Sequence, residues 1–168
     1  MPERRIINAP GQYHFVTFAT YQRRRFLDSE KTRNIVMEVL ERCLSVHQAG
    51  CSGFVIMPDH VHALLFGEID FAVEKFVQAW KKTSSYRLKR FYMQEVEKYW
   101  QLCPEDCPIW QAKFHDFNVE SDRKHLEKLE YMHNNPVVAY LAPTSVAWEW
   151  SSARFYECDE AVGVTVTP

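Results

Sequence analysis

His60 and His62 flank Val61 within the apolar run His60-Val61-His62-Ala63-Leu64-Leu65-Phe66. In a β-strand, side chains alternate between faces, so both imidazoles would leave one face with their Cα atoms about 6 to 7 Å apart. That spacing allows chelation of a metal ion, and Asp59 next door could orient one ring from behind. Two readings of the pair are open: a metal site, or two ordinary histidines at a sheet edge. In either case neither histidine is expected to supply core volume. A second constellation is Tyr131-Met132-His133-Asn134-Asn135-Pro136. Tyr131 and Asn135 are four residues apart and share a helical face if the helix runs that far. Pro136 biases Asn135 away from helical angles, so Asn135 could instead open a new turn. Tyr131 is then either a nucleophile or a ring packed on a sheet before an Asn-Pro helix stop.

These residues need elements to hold them. Gln12 to Thr20 is aromatic and β-branched with partial alternation, which predicts a strand. Ser29 to His47 carries apolar residues at helical spacing with Ser29 as N-cap. Cys51 to Met57 and His60 to Phe66 are apolar runs joined by Met57-Pro58-Asp59, whose turn chemistry and brevity predict an antiparallel hairpin. Phe71 to about Tyr92 predicts a second helix, Gln94 to Pro108 a loop, Ile109 to Phe117 a fourth strand, and Glu120 to about Asn134 a third helix. The order strand, helix, strand, strand, helix, strand is that of an α+β, ferredoxin-like split βαβ antiparallel sheet, with helices expected on one face.

At 168 residues and 46% hydrophobic, the chain is expected to form a single domain, residues 1–168. It has no apolar run of membrane-spanning length, and Met1-Pro2-Glu3-Arg4-Arg5 is not followed by a signal-peptide stretch, so a soluble, cytoplasmic protein is expected. Five cysteines at irregular spacing argue against a disulfide framework; Cys103 and Cys107 are either half of a zinc site or reduced, partly buried thiols. Five glycines and no glycine-rich loop exclude P-loop nucleotide chemistry.

A net charge of −2 is not that of a basic polymer, yet the charge is uneven. Lys81, Lys82, Arg87, Lys89 and Arg90 fall in ten residues without an acid, and Arg23, Arg24 and Arg25 form a second cluster. Such asymmetry permits a local phosphate-binding face, with Tyr86 and Phe91 available to stack on bases. The alternative is a solvated cationic helix face. Trp148, Trp150 and Phe155 are expected in packing.

The motifs Met57-Pro58-Asp59-His60-Val61-His62, Trp110-Gln111-Ala112-Lys113-Phe114-His115-Asp116, Tyr131-Met132-His133-Asn134-Asn135-Pro136-Val137 and Trp150-Ser151-Ser152 follow one another in the chain. In that order they resemble the signatures of the REP-associated tyrosine transposases, relatives of the single-tyrosine HUH transposases of bacterial insertion sequences. The likeness runs from about Gly11 to about Tyr156, with a core of about 11–136 and a C-terminal extension of about 137–168. It implies a ferredoxin-like fold, His60, His62 and Asn135 as metal ligands, and Tyr131 as the nucleophile. Two departures stand out: Asn135 occupies a place where the insertion-sequence relatives typically carry glutamine, and Val138-Ala139-Tyr140 stands where a cation and a glycine are common. The insertion-sequence relatives act as dimers that exchange the tyrosine helix, whereas residues 137–168 align this chain with the monomeric, repeat-associated branch.

The implied activity is cutting and rejoining of single-stranded DNA at hairpin repeats through a 5′-phosphotyrosine. A phosphodiester repels nucleophiles, so a divalent cation that stabilises developing charge removes the main barrier. A phosphotyrosine ester conserves the cleaved bond for rejoining. A tyrosine hydroxyl ordinarily titrates near pH 10 and needs activation by the metal or a base, for which His133 and His115 are candidates. Two imidazoles and an amide favour zinc or manganese by ligand softness, while the resemblance implies Mg²⁺ or Mn²⁺. Alternatives within reach of the same motifs are a replication initiator or relaxase-like nuclease, and a domesticated hairpin-binding protein that no longer cuts.

Overall fold

Apolar residues fill both sets of alternate positions in the central strands. In β1 (Tyr13–Ala19), Val16 and Phe18 join one core and Phe15 another; in β3 (His60–Gly67), Val61, Ala63 and Leu65 oppose Leu64 in the same way. A sheet of such strands must be covered on both faces. The computed structural model describes residues 11–68 and 70–168; the reading of Met1 to Arg5 lies outside them. β2 (Ala49–Ile56) and β4 (His115–Val119) complete a sheet in the order β2-β3-β1-β4, all neighbours antiparallel. With α1 (Glu30–His47) between β1 and β2 and α2 (Val73–Glu95) between β3 and β4, this is the predicted α+β split βαβ fold.

α1 and α2 share one face, where Phe18, Phe54, Phe76 and Trp80 are fully buried. The helix α4 (Asp122–Val138) covers the other, packing Leu129 and Met132 against Phe15, Val55 and Leu64. The expectation of helices on one face therefore holds for α1 and α2 but not for α4. The second apolar set of strand residues requires its own cover.

Element boundaries depart from expectation where tertiary contacts override local pattern. The segment expected as a loop after Gln94 continues α2 to Glu95 and adds the short helix α3 (Glu97–Gln101), whose Trp100 stacks on Tyr92. The fourth strand starts only at His115. Before it, Trp110 turns into the core and donates to Ser84 Oγ, and the carbonyls of Gln111 and Ala112 accept from Lys81 Nζ instead of a strand. α4 runs through Pro136 to Val138, although the ring's missing N–H removes the donor to the Met132 carbonyl; this happens only in the last turn, and the ring is buried. Beyond it Tyr140 takes a left-handed φ of 58°, a conformation that glycine adopts freely.

The C-terminal segment returns to the sheet. Ile56 N–H donates to Trp150 O and Ser152 N–H to Phe54 O, so residues 150–152 line the free edge of β2. Trp148 donates to Ile56 O, Trp150 holds the Arg33 guanidinium 3.8 Å from its ring centre, and Val162 and Val164 enter the α1/α2 core. Phe155 packs partly buried against the same core, as expected of these aromatics. No described helix is long and apolar enough to cross a membrane.

Candidate active site

His60 and His62 emerge from the face of β3 that α4 covers, their ring centres 4.9 Å apart. The strand is interior to the sheet, so they are not edge residues. His60 Nδ1 is 2.7 Å from Asp59 Oδ1, the orienting contact expected from the sequence. His62 Nδ1 is 2.7 Å from Thr17 Oγ1, contributed by the register pair on β1. With both Nδ1 atoms engaged, the two Nε2 atoms are left to ligate.

α4 brings in the other partners. Tyr131 lies edge-on to His62, 5.4 Å between centres, and Phe15 stacks on that imidazole at 5.3 Å while standing edge-on to Tyr131 at 6.2 Å. Because α4 continues through Pro136, Asn135 keeps its place one turn beyond Tyr131, and its amide nitrogen is 3.4 Å from His62 Nε2. A half-turn of the amide exchanges its nitrogen and oxygen, so it can donate to the ring or offer a ligand oxygen.

Electrostatics suit a metal. Burial lowers the pKa of His62 to about 3, with the charges of His60, Arg23 and Lys128 adding to the effect. Burial also lowers that of His60 against the opposing pull of Asp59. Both rings are thus neutral at physiological pH, the state a ligand requires. Among the described residues no group of three or more His, Cys, Asp or Glu forms a closed cage. The donor set is two imidazoles and an amide, which fits an open site with positions left for substrate.

Three contacts seat the tyrosine helix on the sheet. His125 Nε2 meets Ser52 Oγ at 2.8 Å near its start, and His133 Nε2 meets Ser152 Oγ at 2.8 Å near its end. Between them the helix presses on Gly53, where a Cβ would run into Leu129 and Met132. His133 is therefore a buried anchor facing away from Tyr131, not a base poised at its hydroxyl. His115 stays on the site's face: it pairs with Thr17 on β1, which pairs with His62, putting it two strands or about 10 Å away.

Burial pushes the pKa of His133 down to about 4, opposed by the charge of Glu157. The unfolded chain, with a value near 6.5, then binds the proton first as pH falls. His133 contributes stability above that value which is lost between pH ~6.5 and ~4, on the order of 3 kcal/mol in full. Denaturant titrations of the metal-free protein at pH 7 and pH 5 should show a smaller loss of stability for His133→Gln than for wild type. Equal losses would contradict the assignment.

The structure scatters the candidate DNA-binding cations. Arg23 reaches the site, pairing with Asp59 at 3.5 Å, but Arg24 donates to Cys103 Sγ and Arg25 pairs with Asp28. Cys103 and Cys107 are not joined in a disulfide. Along α2, Lys81, Lys82 and Lys89 line a cleft of about 610 Å³ against Trp110 and Phe114, on the sheet face opposite His60 and His62. Lys81 is tied to the two carbonyls and Arg87 to Glu38, while Arg90 lies over the exposed Tyr86 ring. Phe91 packs on the core instead of standing free. The five α2 cations thus do not share one face. Sequence reasoning missed Thr17, Phe15 and Lys128. Only Lys128 left a signal, three residues before Tyr131 and so on the same helix face.

Comparison with known proteins adds the lineage. Solved structures share the fold, among them the two that follow. A REP-associated tyrosine transposase bound to a REP hairpin has a TM-score of 0.75 at 17% identity, covering 100% of this chain and 93% of its own. A protein from Deinococcus radiodurans R1 described as a transposase has a TM-score of 0.54 at 20% identity, covering 80% of this chain and 97% of its own. No functionally curated protein matches. The sequence profile of the IS200-like transposases matches residues 9–135, most of the chain and including His60, His62 and Tyr131, and the chain belongs to that family.

Proposed function

We propose that this transposase cuts and rejoins single-stranded DNA at hairpin repeats, with Tyr131 as nucleophile and His60, His62 and Asn135 holding Mg²⁺ or Mn²⁺. The observation that carries the reading is the approach of Tyr131 to His62 of its own chain, 5.4 Å between rings, with Asn135 alongside. In the reaction the Tyr131 hydroxyl gives up its proton and its oxygen bonds to phosphorus. The bond from phosphorus to the upstream 3′ oxygen breaks, and that oxygen leaves as a hydroxyl after taking a proton. A 5′-phosphotyrosine remains, and attack by a free 3′-hydroxyl reverses the steps without ATP. A divalent cation held here would stabilise charge developing on the phosphoryl oxygens. Asp59 and Thr17 fix the imidazoles, Phe15 fixes the His62 ring plane, and the contacts at Ser52, Gly53 and Ser152 hold Tyr131 over them.

The partner proposed is hairpin DNA, supported by the hairpin bound to the structural neighbour. All the groups named come from one chain, which supports action as a monomer. The base that accepts the tyrosine proton is left to His115 or to solvent, since His133 is engaged elsewhere.

The test is incubation with single-stranded hairpins drawn from repeats flanking the gene, in Mg²⁺, in Mn²⁺ and in chelator. A covalent protein–DNA adduct with either metal, absent in chelator, is the expected result. Tight binding without an adduct would favour a hairpin-binding protein that does not cut. Multiple-turnover cleavage without an adduct would favour a nuclease.

A further inference from the structure

Lys128 lies on α4 three residues before Tyr131 and seven before Asn135, on the helix side that overlooks the sheet. Its ammonium is 5.0 Å from the centre of the Phe15 ring and 4.7 Å from that of Phe117. Phe15 is the ring that stacks on His62 and stands edge-on to Tyr131. Lys128 is therefore fixed by two aromatic faces beside the nucleophile.

What sets it apart from Lys124 and Arg23, the other cations placed near the site, is that among the described residues it forms no ion pair with a carboxylate. One turn earlier, Lys124 is paired with Glu127; Arg23 is paired with Asp59 and Arg87 with Glu38. Lys81 is spent on backbone carbonyls. Among the described residues Lys128 makes no hydrogen bond or ion pair; beyond its ring contacts it feels the neighbouring Glu127 charge only at longer range, and aromatic faces hold a cation without neutralising it. Its N–H donors remain for a ligand of negative charge. A strand delivering a phosphodiester to Tyr131 brings that charge within a side chain's reach, since residues three apart on a helix have Cβ atoms about 5–6 Å apart.

We propose that Lys128 is a phosphate-binding residue of the active site, its ammonium contacting a non-bridging oxygen of the phosphodiester that Tyr131 attacks. The inference rests on the proposed role of Tyr131 and adds the group that receives the substrate's charge. Phe15 and Phe117 position the ammonium, and Phe15 couples it to the His62 ring. An arginine can replace this contact, because its guanidinium also stacks on aromatic rings and binds phosphate.

Two measurements test it. In a Tyr131→Phe background, equilibrium binding of a single-stranded hairpin with its flanking strand is measured across salt concentrations, with and without Lys128→Gln. Loss of one phosphate contact should weaken binding and flatten the slope of log K against log salt by about 0.7. With Tyr131 intact, Lys128→Gln should lower the single-turnover cleavage rate at saturating DNA by at least about 10-fold, with Lys128→Arg restoring most of it. An unchanged slope with an unchanged saturating rate overturns the proposal. So does a lower rate that arginine does not restore and that leaves the slope intact, which would mean lost packing on Phe15 and Phe117. If the wild-type protein forms no adduct with any hairpin, the reading of Tyr131 fails, while the salt slope still decides whether Lys128 binds phosphate.

Discussion

Tyr131→Phe is expected to abolish adduct formation and strand cleavage while leaving the protein as stable as wild type. The substitution removes one oxygen from a ring that is 53% exposed and whose contacts to Phe15 and His62 are made by the ring itself. Among the described residues the hydroxyl has no hydrogen-bond partner, so stability should change by less than about 0.5 kcal/mol. Hairpin affinity should also persist, because the hydroxyl carries no charge that a phosphate would lose. The loss in cleavage should reach the detection limit, since no other tyrosine lies over the His60–His62 pair. Tyr140, next in sequence, is 96% exposed beyond the helix end. Thermal melts, a binding isotherm and a cleavage time course on one preparation check all three outcomes. Retained multiple-turnover cleavage would indicate attack by water.

The second large effect belongs to the histidine pair. Removing either ligand should lower cleavage by at least about 100-fold, equivalent to about 2.7 kcal/mol of transition-state stabilisation, and should abolish rescue by added Mn²⁺. The two sites differ in structural cost. His60 keeps some exposure and leans on Asp59, so His60→Ala should fold normally. His62 is 4% exposed and stacked on Phe15, which corrects the expectation that neither histidine supplies core volume. His62→Ala should lose about 1–2 kcal/mol from the cavity it leaves, and His62→Gln, closer in volume, is the better probe. Cleavage by a folded His60→Ala, His62→Gln protein at wild-type rate, across a metal titration, would contradict the assignment.

The local part of this site was legible in the sequence. Alternation in the run from His60 to Phe66 put both imidazoles on one face, Asp59 stood adjacent, and the four-residue spacing of Tyr131 and Asn135 gave their common helix face. Contacts set by strand register were not legible: Thr17 meets His62 because β1 pairs with β3 across 45 residues, and no local pattern encodes that register. The second cover of the sheet was missed although Phe15, Val55 and Leu64 were visible as apolar residues, because pairing decides which face each strand residue joins. The surroundings of the cation clusters were not legible for a related reason. A sequence counts charges but does not say which are already answered, and Lys81, Arg24, Arg25 and Arg87 all find partners within the fold. His133, two residues from Tyr131 in sequence, points the other way because residues two apart on a helix do not share a face.

If Tyr131 becomes covalently joined to DNA, peptide mapping of the trapped adduct by mass spectrometry will locate the bond. Wild-type protein incubated with a single-stranded hairpin and Mn²⁺, then digested, should yield the peptide containing Tyr131 carrying a 5′-phosphonucleotide, with a free 3′-hydroxyl on the released strand. Attachment to Tyr140, Tyr92 or any residue other than Tyr131 would contradict the account.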